Sequence, residues 1–408
     1  MEKFYLGWRI PLDFRVTMQT TLPTMPIQGK YHLLFMLVAA VLLCYAITRT
    51  RRMPELKIFA SSFFKPRKHS ALRTALRRIM IWTPCFGKWD DALKGKMIGE
   101  VLLRNCAAKC VVTRDRRLIE YSDAVVFHVR DLDLANLPPN RTSSQKWVFF
   151  FMESPPHTYF NLKVLPPGMF NWTMTYRSDS DVYVPSGSVV PRDANATRPK
   201  RDLRALWKSK NKTAVWAVSN CVTSGGRERY VAELRKHMDV DVYGACGRYK
   251  CPKLVEKECL AKFEQTYFFM LSFENSICPD YVTEKLFNAL LHDIVPVVFG
   301  GANYSQMAPN RSYIDALSFK SPKHLAEHLL KLSQNYTEYA SYFAWKERHN
   351  AVGWEGACCD LCKKLHNSVE VERSSSYADI RSWWHEKRGP CRKWDERIVT
   401  TVPIKTTG

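Results

Sequence analysis

"SFENSICPDYVTEKLFNALLHDIVPVVFGG", residues 272–301, decides the fold. It starts inside an apolar run, YFFMLSF (267–273), that stops abruptly at Glu274 and Asn275. A run of that length bounded by polar residues reads as a buried strand. After a polar turn containing Pro279, Val282, Leu286 and Leu290 recur at i, i+4 and i+8, with Phe287 alongside. That spacing predicts one apolar helix face over 281–293. IVPVVFGG (294–301) is a second buried strand. Strand, helix, strand in this order is a βαβ unit, which requires a parallel sheet.

The same alternation continues outward. TAVWAVSN (213–220) predicts a strand, RERYVAELRKHM (227–238) a helix and VDVYG (240–244) a strand. SPKHLAEHLLKL (321–332) predicts a helix with Ser321 as N-cap and Pro322 at the first position. Towards the N-terminus, RRIMIWTPCFG (77–87) opens a first globular part, and DAVVFHV (123–129) and QKWVFFFMES (145–154) are further buried strands. The polar stretch 184–202 reads as a connection between two parts. A chain of 408 residues has room for two full cores.

The formal charge of +22 calls for an anionic partner. Basic runs crowd residues 49–117, yet no zinc finger, RNP-like strand pair or heptad-linked basic helix is present, so nucleic acid is not expected as a partner. YHLLFMLVAAVLLCYAIT (31–48) is 18 residues without a full charge, near the minimum for a bilayer span. It predicts an uncleaved, single-pass signal anchor. Arg49, Arg51 and Arg52 follow the span while Lys30 alone precedes it closely, which by flanking charge would put the C-terminal part in the cytosol. Twelve cysteines outside the span and seven Asn-x-Ser/Thr sequons argue the opposite. The sequons are Asn140, Asn171, Asn195, Asn211, Asn303, Asn310 and Asn335. Together they indicate an oxidising, glycosylating lumen. The expected layout is a cytoplasmic tail (1–30), a transmembrane anchor (31–48), a basic stem (49–75), two globular domains (76–200 and 201–392) and a tail (393–408).

Ligands of open parallel sheets gather outside the carboxyl ends of the strands. Asn275 lies at such an end, and Tyr281, Glu284 and Lys285 lie on the turn and first helical turn beyond it. A helix N-terminus and a mobile cation suit phosphate, and a neighbouring carboxylate can accept from the vicinal hydroxyls of a ribose. Taken alone, Glu284 and Lys285 read equally well as ordinary first-turn charges. Arg227 stands at a second such place, after the strand at 213–220 and a Gly-Gly turn, and arginine suits bidentate phosphate contact. There is no GxGxxG and no GxxxxGK[ST]. DLD (131–133) and DSD (179–181) read as surface turns, not as metal motifs. No dedicated metal site is expected. Glu153 ends the run WVFFFMES and is held by Pro155 and Pro156. A partly desolvated carboxylate there can serve as general base, with His157 close by; a simple cap is the other reading.

These residues resemble a family. FENSICPDYVTEKLFNAL is similar to the signature of the α1,3/1,4-fucosyltransferases, glycosyltransferase family 10. The elements VSN, MESPPHT, SYFAWK and the late CxxC (Cys359, Cys362) agree in order. The resemblance implies an α/β fold of the GT-B type, two Rossmann-like domains with a cleft between them. The N-terminal domain would take the acceptor and the C-terminal domain GDP-fucose. It implies a single-pass type II Golgi enzyme with its catalytic part in the lumen. It implies Arg227 and Lys285 on the diphosphate, Glu284 on the ribose, and Tyr281 and Asn275 lining the donor pocket. Ser219 and Asn220 would stand near the base of the nucleotide, Glu153 would be the general base, and His157 lies on the acceptor side. The implied partners are GDP-fucose, a GlcNAc-bearing glycoprotein and the membrane; a homo-oligomer is compatible. No cofactor is obligatory, although Mn²⁺ stimulates some members. Cys246, Cys251, Cys259 and Cys278 are similar to invertebrate and core-type members. That favours the asparagine-linked GlcNAc as acceptor, with Lewis-type antennae as the alternative. A pseudoenzyme that only binds a sugar nucleotide or glycan, and a transferase using another sugar nucleotide, are the remaining alternatives.

Overall fold

A computed structural model describes residues 76–87, 100–103, 106–193, 201–252, 256–353 and 357–404. The expected anchor (31–48), the tail before it and the stem after it lie outside these residues. Among the described residues no helix is long and apolar enough to cross a membrane.

The first sheet is built from β1 (Arg77–Ile81), β2 (Glu100–Leu102), β3 (Cys110–Thr113), β4 (Ala124–His128), β5 (Lys146–Phe151), β6 (Trp172–Thr175) and β7 (Val182–Tyr183). Their order is β2-β3-β1-β4-β5-β6-β7, parallel except for the β2–β3 edge pair. β4 and β5 are buried at every position, as their unbroken apolar runs require of strands covered on both faces. The connection expected over 184–202 contains a strand, β8 (Gly187–Pro191).

The second half runs α1 (Leu203–Ser209), β9 (Lys212–Ala217), α2 (Arg227–Leu234), β10 (Val240–Tyr243), α3 (Glu256–Thr266), β11 (Tyr267–Phe273), α4 (Glu284–Leu291), β12 (Val295–Phe299), β13 (Ile314–Asp315) and α5 (Pro322–Ser333). Its sheet has the order β10-β9-β11-β12-β13, all parallel. Ser321 caps α5 as its sequence predicts, accepting from the His324 amide at 3.4 Å, with Pro322 opening the helix. The helix expected over 281–293 is shorter, because Thr283 is its N-cap and the chain before it turns through Asp280 at φ +60°.

The chain then recrosses the molecule. After α6 (Tyr336–Ser341), β14 (His349–Gly353) pairs antiparallel with β8. α7 (Ala357–Leu365), α8 (Ser368–Glu372) and α9 (Ile380–His385) follow. Although the sequence groups 201–392 together, Leu361, Cys362, Leu365, Trp383 and Trp384 are buried in the core of the first sheet. Two disulfides, Cys106–Cys359 and Cys110–Cys362, fasten α7 there. The segment expected as a tail from 393 belongs to a hairpin, β15 (Arg392–Asp395) with β16 (Thr400–Pro403). Its Trp394 is 2% exposed and sits in the core of the second sheet.

Candidate active site

The strand order of the second sheet places the crevice. β9 and β11 are neighbours, and the chain leaves β9 for β10 on one side and β11 for β12 on the other. Loops diverging from two adjacent carboxyl ends leave an opening for a ligand. The loop after β9 carries Ser219, Asn220 and the Ser-Gly-Gly turn; the loop after β11 carries Glu274 and Asn275. The two loops are knitted together. The Gly225 amide donates to the Asn275 carbonyl at 2.9 Å. A Cβ on Gly225 would lie 3.1 Å from that carbonyl oxygen, so the turn packs closely enough that added bulk would push it away. Gly226 follows at φ +73°, a conformation that costs glycine little.

Arg227 opens α2 and is 2% exposed. Its Nη1 donates to the Phe273 carbonyl at 2.6 Å and its Nη2 to the Asn220 carbonyl at 3.2 Å, so it ties the end of β11 to the loop after β9. Its Nε has no partner among the described residues. Burial lowers its proton affinity, Glu274 opposes this first among its neighbours, and a guanidinium remains charged regardless.

Glu274, 1% exposed, anchors the next loop. It accepts from the Thr283 amide at 2.8 Å and from the Thr283 hydroxyl at 2.9 Å, and it faces Lys285 Nζ at 3.3 Å. Lys285 also donates to Thr283 Oγ1 at 2.7 Å and to Glu284 at 3.3 Å. Burial raises the Glu274 carboxyl, against the pull of Lys285. Burial would raise Glu284 too, but Lys285 and the helix amide outweigh it and leave it below the usual range. The two carboxylates in turn overcome burial at Lys285 and hold its proton more tightly. The result is an ammonium fixed on the first turn of α4.

From the other half, Glu153 stands two residues beyond β5, half-buried. Tyr281, 2% exposed, donates from its hydroxyl to Glu153 Oε2 at 3.4 Å. Ser154 donates to Ser276 Oγ at 2.7 Å, and Ser276 shares a hydrogen with Ser224 at 2.8 Å. His157 lies in the short turn after Pro155, and its Nδ1 is 3.4 Å from Ser154 Oγ. Burial first, then Arg227, Arg130 and Lys285, push its pKa down to about 4. It is neutral at physiological pH, and Arg227 and Lys285 lie near enough to act on its charge.

The structure thus brings Glu153, His157, Arg227, Tyr281, Glu284 and Lys285 within electrostatic reach of one another, with Ser219 and Asn220 after β9. Asn275 contributes its carbonyl to the Gly-Gly turn and leaves a buried Oδ1 without a partner among the described residues. Sequence reasoning assigned no role to Ser154, Ser224, Ser276 or Thr283. Serine and threonine carry no distinctive pattern, and these act through contacts between distant segments. Of the acidic triplets, DSD lies on a turn and Asp133 of DLD is exposed, while Asp131 and Asp179 are partly buried. Asp131 accepts from the Phe86 and Gly87 amides at 2.6 and 2.5 Å and pairs with His128, while Asp179 pairs with Arg177 at 2.8 Å. Both carry their charge inward to complete loops. Among the described residues, one group of metal-ligating types converges, Cys110, Cys362 and His366. The two cysteines are joined to each other, so they present no thiolate. Beside the phosphate-binding candidates, Glu274 and Glu284 both face Lys285, and Thr283 donates to Glu274.

Of the sequons, Asn140, Asn211, Asn303, Asn310 and Asn335 are exposed, and Asn195 lies outside the described residues. Asn171 differs. Its Oδ1 accepts from the Trp147 amide at 2.9 Å, and its Nδ2 donates to the Ser375 carbonyl at 2.9 Å. A glycan on that nitrogen would displace α8 and its loop. In protein from a glycosylating host, glycopeptide mass spectrometry should find Asn171 bare; a glycan there at high occupancy would contradict this packing.

The model described as "Fucosyltransferase, N-terminal" matches residues 74–187, and "Glycosyltransferase family 10 (fucosyltransferase) C-term" matches 207–383. The chain is similar to Alpha-(1,3)-fucosyltransferase C of Drosophila melanogaster, 35% identical over 376 residues, covering 86% of this chain and 87% of that protein. It is also similar to Glycoprotein 3-alpha-L-fucosyltransferase A of the same organism, 34% identical, covering 82% of this chain and 65% of that protein. A human relative, 4-galactosyl-N-acetylglucosaminide 3-alpha-L-fucosyltransferase FUT5, is 39% identical over 68% of this chain and 72% of its own. A crystal structure of an alpha1,3-fucosyltransferase with GDP-fucose superposes with a TM-score of 0.47 at 16% identity, over 74% of this chain and 93% of that one. With both halves matched in sequence, the chain belongs to glycosyltransferase family 10, the fucosyltransferases.

Proposed function

We propose that this protein is an inverting α1,3-fucosyltransferase of the GT-B type, moving L-fucose from GDP-β-L-fucose to O3 of a GlcNAc in glycoprotein glycans. The observation that carries the reading is the meeting of Glu153, from the loop after β5, with the cationic crevice after β9 and β11. A carboxylate opposite two fixed cations is what this transfer needs. Glu153 accepts the proton of the acceptor O3–H as that oxygen forms its bond to C1 of fucose. The bond from C1 to the phosphate oxygen breaks, and its electron pair leaves with GDP. Attack from the opposite face turns the β-linked donor into an α-linked product. The transition state is oxocarbenium-like. Negative charge growing on the diphosphate is met by Lys285 and Arg227, already oriented before the reaction. Glu284 accepts from the ribose hydroxyls, Tyr281 and Asn275 border the donor, and Ser219 and Asn220 stand towards the guanine. Neutral His157 offers a hydrogen-bonding group on the acceptor side.

The reading extends to place and acceptor. Five disulfides and the exposed sequons support a luminal catalytic part behind a single-pass Golgi anchor at 31–48. Cys246, Cys251, Cys259 and Cys278, which resemble those of invertebrate and core-type members and all lie in disulfides, favour the core GlcNAc of N-glycans as acceptor. The similarity to a galactosyl-GlcNAc enzyme favours the antennary GlcNAc as the second reading.

The test offers labelled GDP-fucose, GDP-mannose and UDP-sugars with core-exposed N-glycans and with LacNAc antennae, each with excess EDTA or added Mn²⁺. Product linkage is read by mass spectrometry after exoglycosidase trimming. The expected result is fucose α1,3-linked to GlcNAc from GDP-fucose, surviving EDTA. Transfer only from a UDP-sugar would overturn the function, and transfer only to antennae would overturn the core reading.

A further inference from the structure

Glu153 comes from the first half of the molecule, but what holds it comes from the second. Among the described residues its one hydrogen bond is from the Tyr281 hydroxyl, at 3.4 Å. Hydrogen bonds at reaction centres are often long without substrate and tighten in the complex. The adjacent residue is gripped by the same loop, since Ser154 donates to Ser276 at 2.7 Å. Tyr281 itself has little freedom. Its ring meets Tyr176 edge-on at 4.9 Å, and Tyr176 in turn packs on Trp384. The preceding residue, Asp280, holds a left-handed backbone at φ +60°. Its carboxylate accepts from the Ser178 amide at 3.1 Å and hydroxyl at 2.8 Å, and it pairs with Arg388 at 3.1 Å. Strained conformers of this kind persist only where the surroundings enforce them. The Cys278–Cys391 disulfide and the bond from the Arg392 amide to the Ile277 carbonyl, at 2.7 Å, secure the loop from behind.

We propose that Tyr281 is a positioning residue for the base, holding Oε2 of Glu153 so that its other oxygen meets the acceptor hydroxyl. The donor-binding loop thereby orients the group that deprotonates the acceptor. This rests on the reading of Glu153 as the general base. It adds that the base is fully formed only when the loop carrying Ser276 and Tyr281 is seated against the loop after β5.

The signature is in the pH profile. A hydrogen bond to the ionised carboxylate favours that form, so its loss raises the proton affinity of Glu153. The other groups that reach Glu153 are Lys285, a cation that also favours ionisation, and Tyr176. Tyr176 and Tyr281 remain protonated, since burial raises both phenols. His157 is neutral above about pH 4. The carboxylates Glu274 and Glu284 beside Lys285 are the same in every variant compared, so the readout is the displacement of the acidic limb between variants.

The experiment compares the full protein with Y281F, measuring kcat/KM for the acceptor against pH, GDP affinity by calorimetry and the melting temperature. In Y281F the acidic limb should move to higher pH and kcat at about pH 6 should fall about tenfold, the worth of a hydrogen bond to a charged group. Tyr281 also borders the donor, so the loss in kcat should exceed any loss of GDP affinity. Incorporating 3,5-difluorotyrosine at 281, a stronger donor of the same shape, should move the limb to lower pH and covers the case in which Y281F does not fold. A limb unmoved in both variants, or a loss explained wholly by weaker GDP binding, would overturn the positioning role. If the unaltered protein transfers no fucose to any glycan, it is the functional reading that fails instead.

Discussion

Glu153→Gln should bind GDP as the unaltered protein does and transfer almost no fucose. Glutamine has the shape of glutamate, and its carbonyl can still accept from Tyr281 Oη, so the loop after β5 keeps its geometry. What disappears is the capacity to take a proton from O3. Positioned acid–base groups contribute about 10²–10⁴-fold to rate, and a loss of that size is expected in kcat. Single-turnover transfer from labelled GDP-fucose gives the rate, and calorimetry with GDP gives the affinity. Turnover within about tenfold of normal would remove Glu153 from the mechanism, because no isosteric amide can replace a base so well.

Lys285→Met should lose donor affinity and stability together. The ammonium faces the phosphate-binding crevice, and removing a charged hydrogen-bond donor should weaken GDP binding about 10–100-fold. It also sits between Glu274, 1% exposed, and Glu284. Breaking a buried pair by deleting one partner costs about 3–5 kcal/mol, because the remaining charge stays buried. The pH dependence has a definite sign. Burial already raises the Glu274 carboxyl above its ordinary value, with Lys285 opposing. Without Lys285 it rises further. A carboxyl whose folded proton affinity exceeds its unfolded one contributes stability below the unfolded pKa, and that contribution is lost as pH climbs through the folded pKa. Thermal melts of Lys285→Met should therefore show a higher melting temperature at about pH 5 than at about pH 8, by more than in the unaltered protein. A flat profile with intact GDP affinity would show that Lys285 is a surface helix charge after all.

Much of this was legible in the linear chain. The stretch 267–301 announces strand, turn, helix and strand, because periodicity and polar punctuation are local properties. The cation at 285 and the carboxylate at 153 stand out because charge at the end of an apolar run is costly without a use. The short β2 and β3 were not legible. β3 is four residues buried at every position, too short to show a period. Helix α3 was missed as well: five of its eleven residues are lysine or glutamate, and Phe263 is its one buried side chain.

Local patterning determined the alternation of strands and helices, the place of the crevice-forming turns, and the kinds of side chain standing at them. Only the tertiary structure decided which of those turns face one another. The order β10-β9-β11 opens the crevice, and the return of α7–α9 to the first core, with the Cys278–Cys391 bond, brings the loop of Tyr281 against that of Glu153. Contacts such as Tyr281 to Glu153 span 128 residues. No local propensity encodes them; they arise when two separate cores are closed on each other by the burial of a shared surface.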